Sequence, residues 1–170
     1  SAPSGELREA ATRRVSLTFS GNDAPLRAAA TRLGALGALA KAHEAAEQEG
    51  NTEVAISAAR AAAPLVPSEA EPLHLAALAS PTLKMLRLVL EQSTDCTTST
   101  HQVAVAIAHL TVLLQQGWTE DKAQPRVLEA LVAATCDAAR ACNNGLGECC
   151  DAETAAVTAF AVSNLAALSG

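Results

Sequence analysis

Asn164 lies beside the apolar face of the stretch "TAFAVSNLAALS", a place where an amide has to earn a partner. It offers both donors and an acceptor. It could brace a neighbouring segment, or it could hold the N–H and C=O of an extended peptide without reading that peptide's side chains. Two similar phrases, "AIAHL" and "AATRL", put His109 and Arg32 in the same slot ahead of a leucine. The three are the expected partner-binding residues, a polar ladder along one groove.

Other reactive groups are scattered. The cysteines are Cys96, Cys136, Cys142, Cys149 and Cys150. An odd count argues against a closed disulfide framework, so free thiols are expected. The alternative is a bridge from Cys142 to Cys149 or Cys150. No CxxC occurs, and His101 and His109 are not spaced to complete a zinc site. The acidic run "HEAAEQEG" reads as a solvated helix face, and His74 and His101 as surface or cap residues. "GALGAL" follows no strand and is no phosphate loop, and no serine sits in a nucleophile elbow. No enzymatic activity, metal or cofactor is expected. "RRVS" matches the two-arginine pattern of basophilic kinases, and phosphate on Ser16 would add roughly −2 charge near a helix end. Trp118, the sole tryptophan, reads as a loop cover over a helix end or, more sharply, as an exposed partner anchor.

These groups must be positioned by helices. The chain has 170 residues and is 49 % hydrophobic, yet aromatics make up 2 % and tyrosine is missing. Alanine runs such as "RAAATRLGALGALAKA" supply most of the apolar content. Alanine is the strongest helix former and adds little to a sheet, so the fold class is all-α. The 170 residues are expected to form one helical domain, of a kind that also occurs as a piece of a longer helical-repeat protein. Net charge is −6 with no basic stripe and almost no aromatic to stack on a base, which excludes nucleic acid as a ligand class. The longest apolar run, "VAVAIAHLTVLL", is too short for a membrane span, and a cytoplasmic location is expected.

Periodicity predicts helices over Ser4–Leu17, from Asn22 or Asp23 to about Glu49, and from Thr52 to the stop at Pro64. Gly34 and Gly37 lie inside the second of these, where close packing of a neighbour would offset their helix cost. "PLVPSEAEP" reads as a proline-rich corner. Short helices follow in "LHLAALA" and from Ser80 to Gln92. Gln102–Gln116, apolar on nearly all sides, reads as central and buried. Arg126–Cys142 carries the stripe Leu128, Leu131, Val132, Thr135 and Ala139. The last helix, capped by Asp151, turns Val157, Phe160, Ala161, Leu165 and Leu168 inward.

Two blocks share one script: "LKMLRLVL" then "AIAHLTVLL", and "VLEALVAA" then "AVSNLAALS". Laying Ala106–Leu110 on Ala161–Leu165 pairs His109 with Asn164. Helical units repeated in this way suggest a solenoid. "DAETAAVTAFAVSNLAAL" resembles the last helix of an armadillo repeat, and "DAPLRAAATRLGALG" the second helix of a HEAT unit, the likeness covering roughly residues 22–170. The resemblance implies a right-handed α-solenoid and a non-enzymatic scaffold that binds a protein or peptide along a concave helical surface. In that family the asparagine corresponding to Asn164 bonds the peptide backbone. A four- to six-helix bundle of the vinculin or talin-rod type, serving a cytoskeletal or multiprotein assembly, is the alternative that the same helices allow.

Overall fold

The computed structural model describes residues 10, 11, 13–15, 17, 18, 23–69, 72–92, 98–115, 124–144 and 152–168. All regular structure among them is helical. Residues 10, 11, 13–15, 17 and 18 are helical, where a helix over Ser4–Leu17 is expected, and after them come α1 (Ala24–Arg32), α2 (Ala35–Gln48), α3 (Thr52–Ala62), α4 (Pro72–Ala77), α5 (Ala79–Gln92), α6 (Thr98–Gln115), α7 (Gln124–Asn144) and α8 (Ala152–Leu168). A 3-10 turn, Ala63–Ser68, joins α3 to the segment before α4.

The helix expected from Asn22 or Asp23 to Glu49 is two helices. Its start is as expected, with the Asp23 carboxylate accepting from Leu26 N–H at 3.0 Å and Pro25 in the first turn. It ends at Gly34, whose φ of +80° is left-handed and whose N–H bonds Thr31 O at 2.8 Å. Gly34 is there for its backbone conformation and not for packing, since a Cβ would meet nothing within 4 Å. At Gly37 a Cβ would meet Leu78 Cδ1 at 3.8 Å, an ordinary contact, so neither glycine marks a close approach. Asn51, one residue before the expected Thr52, caps α3 by accepting from Val54 N–H at 3.2 Å. The proline corner is a core element: Pro64, Leu65 and Val66 are buried.

Packing sorts the elements into two layers. In one, α2 packs on α3, α3 on α5, and α5 on α7; in the other, α1 packs on the 3-10 turn, the turn on α6, and α6 on α8. From α3 onward the chain alternates between layers, α3 then the turn, α5 then α6, α7 then α8. The core lies between them and is built from leucine and alanine, with Leu36, Leu65, Leu83, Leu86, Ile107, Leu110 and Leu131 all but fully buried. Alanines 58, 59, 61, 62, 106 and 134 fill the remaining interior and let the helices approach closely. As expected, Leu83, Leu86 and Leu90 are buried on α5, and α6 is apolar and enclosed on most sides.

The outer side of the first layer is polar. Lys84 on α5 reaches Glu47 of α2 at 2.6 Å, and Arg87 reaches Asp137 of α7 at 2.8 Å, where Arg140 also bonds at 2.8 Å. Such exposed pairs add roughly 0–1 kcal/mol each and matter more for helix register than for stability. Two inward assignments change. Val132 of α7 and Phe160 of α8 are exposed, because the faces that pack run through Val127, Leu131, Ala134 and Ala138, and through Thr154, Thr158, Ala161 and Leu165. Threonine and alanine, weak signals of an apolar face, define the buried side of α8. Among the described residues no helix is long and apolar enough to cross a membrane.

Candidate functional site

The second layer brings the three ladder residues onto elements of one sheet of helices but does not present them alike. Arg32 ends α1, is exposed, and folds its Nε back to Ala28 O at 3.3 Å. His109 is partly exposed on α6. Asn164 is 8 % exposed, which fits the bracing role of its amide and not the exposed rung. Its Nδ2 donates to Thr111 Oγ1 of α6 at 3.0 Å, while Gln115 Nε2 of α6 donates to the Asn164 backbone carbonyl at 3.0 Å. The cause is helical phase: Asn164 stands one turn beyond Ala161 and beside Leu165, on the side that α8 lays against α6.

This is one end of a polar seam between α6 and α8. At the other end His101 Nδ1 lies 2.9 Å from Thr154 Oγ1. Both side-chain bonds join residues 53 apart, so the two helices run parallel in a constant register. Thr111 donates to Ala108 O at 2.7 Å and Thr158 to Thr154 O at 2.8 Å, which satisfies buried hydroxyls within their own helices. Thr158 also lies 3.7 Å from Cys142 Sγ on α7.

The outer side of α6 carries His101, Val105, His109 and Val112, spaced by four, four and three residues and each partly exposed. α8 lies beside that stripe, where His101 meets Thr154. His109 Nε2 is shielded from solvent without a hydrogen-bond partner among the described residues. Desolvation accordingly lowers the His109 pKa from its ordinary 6.5. The sign is set by linkage. The folded chain holds this proton less tightly than the unfolded chain, so stability is fully present above pH 6.5 and is lost as pH falls below it towards the folded value. His109→Asn should flatten the fall of the melting midpoint on acidification through this window, and an unchanged pH profile would assign that fall to other groups.

Some sites lie outside the described residues: Trp118, Ser16, and the Cys96, Cys149 and Cys150 thiols. Cys136 is a free exposed thiol and Cys142 a free, partly buried one. His74 bonds Glu69 Oε2 at 3.0 Å through Nδ1. His43 departs from the solvated reading of "HEAAEQEG". It is 2 % exposed and its Nδ1 lies 3.2 Å from Ala55 O, an acceptor only, which places the proton on Nδ1 and ties α2 to α3. Its Nε2 faces Glu47 Oε2 at 3.6 Å. A histidine one helical turn from Leu39 and Ala46 could have been recognised as part of the inward face of α2.

Among the described residues no group of three His, Cys, Asp or Glu could hold a metal ion. A shallow cavity lined by Arg13, Glu53, Ser57 and Arg60 presents mixed charge, with Arg13 and Glu53 paired at 3.4 Å. No family model matches the chain, and neither the curated proteins nor the solved structures contain a match to it.

Proposed function

We propose that the chain is a non-enzymatic helical scaffold that binds a protein or peptide partner along the outer face of α6, beside α8. The observation that carries this reading is the stacking of the second layer: α8 lies parallel on α6 with both seam bonds 53 residues apart, as repeated units stack. Alternation of the chain between layers supports a right-handed α-solenoid of armadillo or HEAT type. A closed bundle would bring α8 back against α2, whereas α8 packs on α6 and α7. Repeat scaffolds bind along the face of one layer, and here that face offers two valines as apolar contacts and His109 as a polar one.

In this reading Asn164 holds the shape of the strip and does not touch the partner. Arg32 adds an exposed cation on α1 of the same layer. A cytoplasmic location fits the free thiols Cys136 and Cys142.

Selection from a random peptide library tests the proposal. Peptides enriched on the wild-type chain should bind a folded Val105→Asp variant at least about tenfold more weakly, as expected for loss of one apolar anchor worth more than ~1 kcal/mol. Failure to enrich any peptide, or equal binding to both chains, would overturn it.

A further inference from the structure

The helical segment at the start of the chain, residues 10, 11, 13–15, 17 and 18, leans on α3. Its Val15 packs against the hydrophobic core, and its Arg13 pairs with Glu53 of α3 at 3.4 Å. Arg13 and Leu17 line a cavity of about 310 Å³ together with Glu53, Ser57 and Arg60, which share one face of α3. Two guanidinia thus meet one carboxylate there, a local positive excess in a chain of net charge −6. Arg60 is exposed and has no hydrogen bond or ion pair among the described residues. An unengaged guanidinium beside a hydroxyl is a receptor for an oxyanion, and phosphate accepts from two such forks at once.

We propose that Ser16 is a phosphorylation site and that its phosphate is received in this cavity by Arg60 and Arg13, which fastens the N-terminal segment to α3. The inference does not rest on the peptide-binding reading.

Two observations select a phosphate on this serine as the anion. The first is the sequence "RRVS": Arg13 and Arg14 stand three and two residues before Ser16, the pattern a basophilic kinase reads. The second is attachment. Ser16 lies outside the described residues, but it is bonded directly to Val15 and Leu17, and Leu17 lines the cavity. Neighbouring Cα atoms are about 3.8 Å apart, so a phosphate on Ser16 is delivered to the cavity by the chain itself, at high effective concentration.

A kinase takes its substrate as an extended segment, so this segment must open before it is modified. Among its described residues only Val15 is partly buried, and the Arg13 and Glu53 side chains are 61 % and 68 % exposed, so that pair is screened and weak. In the open state the Ser16 hydroxyl oxygen attacks the γ-phosphorus of a nucleoside triphosphate held by the kinase. The bond to the diphosphate breaks, the diphosphate leaves, and the hydroxyl proton passes to the kinase's base. On reclosing, the new group carries about −2 charge and competes with the single carboxylate of Glu53 for Arg13. Glu53 is exposed enough to turn to solvent, and the phosphate also engages Arg60. One weak pair is exchanged for two charge-assisted contacts.

Treatment of the full chain with the catalytic subunit of a basophilic kinase and a nucleoside triphosphate, followed by hydrogen exchange, tests this. Mass spectrometry should place a phosphate on Ser16 of the wild type and show it missing from Ser16→Ala. Phosphorylation should slow amide exchange across residues 10–18 by roughly threefold or more, the effect of added charge-assisted contacts. Arg60→Ala lies outside the kinase pattern and at an exposed position, so it should fold and be phosphorylated as the wild type is, yet lose that slowing. No phosphate on Ser16, exchange that is unchanged or faster after phosphorylation, or equal slowing in Arg60→Ala would overturn the proposal.

Discussion

Leu86→Ala is expected to lower stability by about 2–5 kcal/mol, at the upper end of that range. Leu86 is fully buried on α5, and α5 packs against α3, α6 and α7, so its side chain sits where both layers meet. The cost of such a truncation depends on whether neighbours relax into the space. The buried core cluster that holds Leu86 is rich in alanine, which has no rotamer with which to fill a void, so much of the cavity should persist. At roughly 2–4 °C per kcal/mol for a chain of this size, the melting midpoint should fall by several degrees or more. Leu33→Ala is the control: Leu33 is 88 % exposed and its truncation should stay within about 0.5 kcal/mol. Equal effects at the two positions would contradict the described core.

Asn164→Ala is expected to cost about 1–3 kcal/mol, the penalty for leaving a buried hydrogen-bonding group unmatched. Thr111 is fully buried; its hydroxyl donates to Ala108 O and accepts from the Asn164 amide. Loss of the amide leaves that hydroxyl with an unused lone pair beside a small void. Removing both partners, with Asn164→Ala and Thr111→Val together, should cost less than the sum of the single changes, because no polar group is then stranded. Thermal melts of the two single variants and the double variant measure the coupling. Additive losses would mean that the bond between α6 and α8 contributes nothing to stability, and an unaffected midpoint for Asn164→Ala would contradict its burial.

Much of the architecture is legible in the sequence. Alanine-rich periodicity gives helices, Asp23 and Pro25 mark the start of α1, and the enclosed character of α6 follows from its apolar residues on nearly every side. What escapes is phase and punctuation. A glycine within an alanine run is compatible with a continuing helix, and only the backbone reveals that Gly34 turns left-handed and breaks it. On α8 the inward side is Thr154, Thr158, Ala161 and Asn164, while Phe160 faces out. Periodicity weighted by hydrophobicity points the other way, because threonine hydroxyls that bond their own helix pack almost as apolar groups do. Asn164 is prominent in sequence as an amide beside an apolar face, but its two roles, strut and rung, differ by a rotation that the sequence does not specify. His109 and Asn164 stand on adjacent helices of one layer but differ in exposure, and His101 acquires its partner Thr154 only through the parallel stacking of α6 and α8.

The claim that the α6 face binds an extended partner is tested most directly by nuclear magnetic resonance on the isotope-labelled chain, titrated with a peptide selected on the wild type. The amides of Val105, His109 and Val112, together with the adjoining side of α8, should shift in a saturable way. The charged outer surface around Lys84, Arg87 and Asp137 should stay unperturbed. Shifts confined to that charged surface, with the α6 face silent at saturation, would contradict the account.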